Sequence, residues 1–326
     1  MNRLLVVASS PHIRAEISTQ KIMALVILSL LPAGAAGTYF LGTRSLLVIA
    51  VCIIACVASE AIWQKCTKQE LTVSDLSATL TGLLLAYNLP PAIPLWMAAI
   101  GGVFCIIFVK QFFGGVGQNI MNPALAGRAM LLICWPVAMT TWTVQGVSSP
   151  TPLGIIKGVQ AAGINVFTSP TPLPGAAGEA ANFPSLFDAF IGRMGGCIGE
   201  TSAVALLAGG VFLICVGVIS WRIPVIYIAT AAVMSVIFGR AAGPVYEVLF
   251  GGLLLGAFFM ATDYVTSPLT PKGQVIFAFG CGLIASLIRA YGGYPEGVSY
   301  SILIMNLVVP LIDRATAPKI LGEAKR

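Results

Sequence analysis

Long apolar runs, each closed by a short polar or proline-marked interval, fill the chain from Lys21 to Asp313. The runs do not alternate with a period of two. A membrane β-barrel would show alternating segments of about 10 residues, so the pattern predicts helices. At about 20 apolar residues per crossing, ten spans are predicted: roughly 22–42, 45–64, 74–90, 94–110, 123–141, 199–220, 223–240, 244–262, 273–290 and 299–313. The third is short and ends at Asn88-Leu89-Pro90-Pro91. The sixth opens from the glycine-rich stretch GRMGGCIGETS. The expected organisation is an N-terminal segment 1–21, five spans over 22–141, a polar loop 142–198, five more spans over 199–313 and a tail 314–326. An even number of spans puts both termini on one side.

Composition fixes the class. The chain of 326 residues is 57% hydrophobic and 9% charged, against about 25% charged in soluble domains. It reads as an all-α polytopic membrane protein in contact with lipid. Its net charge of +6 is better explained by topology than by a nucleic-acid surface. The start is polar and amphipathic, and the apolar sequence runs well past a signal-peptide core, so no cleavable signal is predicted.

Lysine and arginine placement orients the spans. Arg3, Arg14, Lys21, Lys65, Lys68, Lys110, Arg222, Lys272, Arg314, Lys319, Lys325 and Arg326 fall on one side, twelve in all. Arg44, Lys157, Arg193, Arg240 and Arg289 make five on the other. Both termini are therefore expected in the cytoplasm, and loop 142–198 on the external face of the cell membrane. Trp63, Trp96, Trp142 and Trp221 stand near span ends, as interface anchors do.

The halves echo each other. TGLLLAYNLPP (81–91) resembles GGLLLGAFFMATDYVTSP (251–268), and FFGGVGQNIMNPALAG (112–127) resembles AYGGYPEGVSYSILIMN (290–306). The offsets are 170 residues for Gly82 to Gly252 and 178 for Gly114 to Gly292. Five-span units in tandem cross in opposite senses, which predicts inverted repeats with their interrupted spans meeting at a central axis.

Three groups of residues are candidates for chemistry. Ser-Pro-Thr-Pro-Leu occurs twice in the polar loop, around Thr151 and Thr171. Flanking prolines hold such a threonine extended, as an acceptor for covalent modification requires; an ordinary turn-rich loop has the same look. Gly114, Gly115, Gly117, Asn119, Asn122 and Arg128 form the second group. Glycine turns let main-chain amides approach a ligand, and an arginine favours phosphate or negative charge, though such glycines also serve close helix packing. The third group is the acidic residues within spans: Glu60, Asp75, Glu200, Glu247 and Asp263. Each costs about 2.5–3.5 kcal/mol to insert. Glu200 and Asp263 lie beside glycine- or threonine-rich breaks where carbonyls could help hold a hard cation. The alternative is that these acids cap helices or pair with Arg128, Arg240 or Arg289. The eight cysteines lie mostly in apolar runs as small hydrophobes, the sole histidine is His12, and no CxxC occurs. No metal or iron–sulfur site is expected from this chain alone.

Several longer motifs are specific: SPHI (10–13), SDLSATLTGLLLAYNLPP (74–91), GGVGQNIMNPALAGRAML (114–131), GCIGETSAVALLAGG (196–210), WRIP (221–224), FMATDYVTSP (259–268) and YPEGVSYSILIMNLVVPLID (294–313). In this order they resemble, essentially end to end, the NqrB/RnfD family. Its members are membrane subunits of the sodium-pumping NADH:quinone reductase and of the Rnf ferredoxin:NAD oxidoreductase. The short start before the first span is similar to the RnfD branch rather than to NqrB, which has a longer N-terminal extension.

The resemblance implies ten helices in two inverted five-helix repeats, with a fold like that of urea transporters. It implies FMN joined by a phosphoester to a threonine that closes a motif near Asp-x-x-Ser-Gly-Ala-Thr. Thr151 falls on that threonine and Ser148 on the motif serine. Gln145 replaces the aspartate, and Ser149-Pro150 replaces Gly-Ala. Thr171 is the alternate. A second, non-covalent flavin, riboflavin in the Nqr relative, is implied among the helices. The implied function is to relay electrons within a redox-driven Na+ or H+ translocating complex of six Rnf-type components. The others are RnfA, RnfB, RnfC, RnfE and RnfG, with RnfG the nearest exchange partner. The competing expectation is a non-redox channel or transporter on the same fold.

Overall fold

The computed structural model describes residues 18–141, 143–144, 147–148, 186–192, 196–239, 243–292 and 297–317, with only the main chain described at 143–144 and 147–148. Its elements are α1 (Thr19–Leu41), α2 (Arg44–Cys66), a 3-10 turn (Val73–Asp75), α3 (Ser77–Tyr87), α4 (Leu95–Phe104), α5 (Pro123–Cys134), α6 (Pro136–Thr140), α7 (Leu186–Ile191), α8 (Ala203–Val216), α9 (Arg222–Ile237), α10 (Gly243–Leu249), α11 (Leu253–Leu255), α12 (Pro271–Tyr291) and α13 (Val298–Thr316). The helix α4 runs on as a π-helix over Cys105–Gln111, and α11 as another over Gly256–Met260. Strands β1 (Thr143–Val144) and β2 (Val147–Ser148) pair antiparallel, Thr143 opposite Ser148.

The described residues are thus overwhelmingly helical, and each of the ten apolar runs falls on at least one helix. Four helices are long and apolar enough to cross a membrane: Thr19–Leu41, Arg44–Cys66, Pro271–Tyr291 and Val298–Thr316. A fifth crossing results if Gly243–Leu249 and Leu253–Met260, bent by 64°, are one broken span. The remaining apolar helices are shorter, for local reasons. The run 123–141 breaks at Trp135, whose φ of −134° and ψ of 64° leave the helix before Pro136 starts the next one. The run 244–262 breaks where Gly251 and Gly252 take φ of 71° and 68°, a region glycine enters without steric cost. The third run starts late, because Leu76 is left-handed and Ser77 begins α3.

Close approaches hold the helices together. A Cβ on Gly102 of α4 would meet the Cys52 carbonyl of α2 at 3.3 Å, and one on Gly282 of α12 would meet the Tyr227 carbonyl of α9 at 3.0 Å. Gly101 faces Leu131 of α5 in the first half; Gly280 faces Met305 of α13 in the second. The halves meet through α1 against α8, where Gly209 abuts the Ser29 carbonyl, and through α5 against α13. The polar stretch 142–198 ends inside the protein. Cys197 and Ile198 are fully buried. Ile198 N donates to Leu89 O (3.1 Å) and Gly199 N to Tyr87 O (2.9 Å), so the break after α3 finds its main-chain partners in this non-helical segment.

Two assignments in the charge count need correction. Lys110 and Arg289 are not loop charges. Both are buried, paired with Glu60 and Glu247 respectively. Without them the tally becomes eleven against four, and the bias keeps its sign.

Candidate functional site

A cleft opens between the two halves. Apolar walls come from α1 (Met23, Val26), α3 (Leu80, Leu84) and the second π-helix (Phe258, Phe259). Polar groups converge on it from four places: Ser77 and Thr81 of α3, Lys110 of the first π-helix, Asn119 and Asn122 ahead of α5, and Thr262 and Asp263 after the second π-helix. An apolar body with a few placed polar groups is the usual form of a site for a small ligand or cofactor.

Local sequence explains each placement. Gly114, Gly115 and Gly117 take φ of 114°, 97° and 89°, turning the chain from the π-helix back toward the cleft. Asn122 caps α5, its Oδ1 accepting from Ala124 N (3.1 Å) and Leu125 N (3.3 Å), with Pro123 as the first helical residue, the favoured arrangement of a helix start. Its Nδ2 donates to the Met260 carbonyl (3.4 Å), at the end of the second π-helix. Asn119 Nδ2 donates to Met121 O (3.1 Å). The Asn306 amide of α13 is satisfied when its nitrogen donates to Thr266 O (3.0 Å) and its oxygen accepts from Asn122 N (3.1 Å). Asp263 accepts from the Thr266 hydroxyl (3.1 Å).

Arg128 stands apart. It does not line the cleft. Its guanidinium donates to Ser299 Oγ (2.6 Å) and Asn88 Oδ1 (3.4 Å) and lies 3.7 Å from Cys197 Sγ. The Cys197 thiol bonds the Asn88 carbonyl (3.2 Å), and Asn88 Nδ2 donates to Leu84 O (2.7 Å). Arg128 therefore clamps the break after α3 to α13 and to the 197 segment.

The candidate carboxylates separate by partner. Glu60 accepts from Lys110 Nζ (2.7 Å) and Gln111 Nε2 (2.8 Å). Glu247 pairs with Arg289 at 3.0 Å. Asp75 caps α3 through Ser77 N (2.8 Å) and Oγ (2.6 Å). Glu200 is buried against Gly252, where a Cβ would collide with its Oε1. Asp263 is the suspect carboxylate that lines the cleft. Sequence reasoning missed Lys110 and Ser77 as cleft residues. The signal was a lysine four residues before the Gly114-Gly115 turn, which hydropathy reads as a span end. Among the described residues no group of three or more His, Cys, Asp or Glu is placed to hold a metal ion. Thr151 and Thr171 lie outside the described residues, and Ser148 is described only through its main chain in β2.

Several long apolar helices in an almost wholly helical chain define a multi-pass integral membrane protein. Residues 6–322 match the family described as NQR2, RnfD, RnfE, and the chain belongs to that family. It is 50% identical over 332 residues to the D component of the Na(+)-translocating ferredoxin:NAD(+) oxidoreductase complex of Acetobacterium woodii, covering all of this chain and 98% of the relative. It is 46% identical to the D component of the proton-translocating ferredoxin:NAD(+) oxidoreductase complex of Clostridium ljungdahlii, covering 98% and 96%. It is 37% identical to the D component of the ion-translocating oxidoreductase complex of Shigella dysenteriae, covering 98% and 99%.

Proposed function

We propose that this chain is the flavin-carrying membrane subunit of an ion-translocating ferredoxin:NAD oxidoreductase complex, in which it relays electrons between partner subunits. Full-length similarity to the D components of such complexes supports the assignment. The observation that carries the flavin part is the cleft. Its apolar walls and convergent Asn119 and Asn122 suit a non-covalent flavin, a flat body with polar edges. When bound, the flavin supplies the redox chemistry, while the protein orients it and excludes water. FMN is assigned to Thr151 by the family pattern, with Thr171 the alternate, and RnfG is the nearest exchange partner.

The same reading takes the ten apolar helices as ten crossings in two inverted repeats, with both termini cytoplasmic. Repeated contacts support it. Gly102 and Gly282, which play the same packing role in α4 and α12, are 180 residues apart, and their partners Cys52 and Tyr227 are 175 apart. The basic residue near the end of the fourth span in each half ties to the start of the third: Lys110 to Ser77, and Arg289 to Glu247.

The test is in-gel flavin fluorescence of the denatured chain, co-expressed with the flavin-attaching enzyme. A fluorescent band lost in Thr151→Ala and kept in Thr171→Ala is expected. No band in the unmodified chain would remove the covalent flavin and leave a non-redox transporter of the same fold.

A further inference from the structure

The described structure contains a polar network that the electron-relay function does not use, centred on Lys110. This residue is 3% exposed and lines the cleft. Its Nζ donates to Glu60 Oε1 (2.7 Å) and to Ser77 Oγ (2.6 Å). The Ser77 hydroxyl donates in turn to Asp75 Oδ1 (2.6 Å). Asp75 is half-buried, in the 3-10 turn between α2 and α3. Ammonium, hydroxyl and carboxylate thus form one continuous chain from the cleft to the edge of the helical region.

We propose that Lys110, Ser77 and Asp75 exchange protons between the cleft and surface water. The inference rests on the reading of the cleft as a ligand site. Each member suits the task. A hydroxyl that accepts from an ammonium and donates to a carboxylate is oriented to pass a proton outward, and the reverse transfer needs only its rotation. For inward transfer, the Lys110 ammonium gives one proton to an acceptor in the cleft. The amine left behind takes one from Ser77, Ser77 takes one from the Asp75 carboxyl, and Asp75 is reloaded from water. One proton crosses per cycle, and no electron moves along the chain. Glu60 stabilises the ammonium between transfers; its Oε1 also accepts from Gln111 Nε2 (2.8 Å). The other titratable groups near Lys110 are Cys56 on α2 and Asp263 across the cleft. A flavin takes up protons with electrons, so a buried flavin needs such a supply.

Ser77→Ala is the discriminating variant. It removes the hydroxyl link, while the Ser77 N to Asp75 Oδ1 bond (2.8 Å) that starts α3 remains. The full chain is expressed without the flavin-attaching enzyme, placed in lipid nanodiscs, and its bound flavin reduced by dithionite in a stopped-flow instrument across pH, in H2O and D2O. Reduction should slow on the order of 100-fold, the lower range for a lost general acid–base group, with an altered pH profile and solvent isotope effect. Ser77→Thr, which keeps a hydroxyl, should restore both. Bound flavin with an unchanged rate and pH profile in Ser77→Ala, or failure of Ser77→Thr to restore them, overturns the proton path alone. A chain that purifies without flavin overturns the cleft reading and this inference together.

Discussion

Arg289 braces the bend between α10 and α11 by reaching from α12 to Glu247 and to the carbonyls left free there. Its Nη1 lies 3.0 Å from Glu247 Oε2 and 2.6 Å from Glu247 O, and its Nη2 reaches Phe250 O at 2.9 Å and Gly251 O at 3.2 Å. Removing one partner of a buried pair leaves the other uncompensated, at about 3–5 kcal/mol. Arg289→Met loses the carbonyl contacts as well and should lie at the upper end of that range. Glu247→Gln should cost less, because Arg289 keeps its carbonyl partners. Thermal unfolding of the two variants in detergent gives the order, and equal losses would contradict it.

The bend also sets a hierarchy among glycines. Gly252 has φ of 68°, and a Cβ there would strike Glu200, whereas Gly117 has φ of 89° with open space around it. Gly117→Ala should cost only the backbone strain of the left-handed region, about 1–2 kcal/mol. Gly252→Ala adds a collision and should be the more damaging. Comparing melting temperatures of the two variants checks this.

Asn122 joins helix start and cleft. Asn122→Ala should lose the cap, about 1 kcal/mol, together with the bond to Met260, and should lower the amount of non-covalent flavin that copurifies. Asn122→Ser retains a capping oxygen but not the amide donor. It should keep the stability and still lose flavin. Acid extraction and chromatography of the released flavin, beside a melting curve, separate the two effects.

Cys66 is exposed at the end of α2, as are Cys134 and Cys215 on apolar helices, while Cys52, Cys56, Cys105, Cys197 and Cys281 are buried. In a Cys134→Ser, Cys215→Ser background a membrane-impermeant maleimide should label Cys66 in inverted vesicles and not in right-side-out ones. The opposite result would reverse the assigned orientation.

Much of the helical framework was legible in the sequence, because apolar runs and their punctuation are local signals. Asn122-Pro123 announces the start of α5, and Pro90-Pro91 the end of α3. The two π-helical segments were not legible. Their register shift lets Val109, Lys110 and Gln111 all be buried, a demand set by Glu60, 50 residues away. Hydropathy therefore read Lys110 as the edge of a span when it is a buried partner. The bend at Gly251-Gly252 was partly visible, since the repeat places GGLLL opposite TGLLL. The collision partner Glu200 is a tertiary fact that no window contains. The cleft drew Asn119, Asn122 and Asp263 from the candidates but not Arg128, whose partners Ser299 and Cys197 come from distant segments.

The two main-chain bonds from Ile198 and Gly199 to Leu89 and Tyr87 bear on how the molecule can move. They stitch the segment ahead of α8 to the chain at the end of α3, in the buried interior, where an unsatisfied amide or carbonyl costs several kcal/mol. Swinging one half against the other, as rocking carriers do, would tear this seam. The frame is therefore a fixed chassis, and any motion that accompanies its work falls to side chains and to the short segments around the cleft.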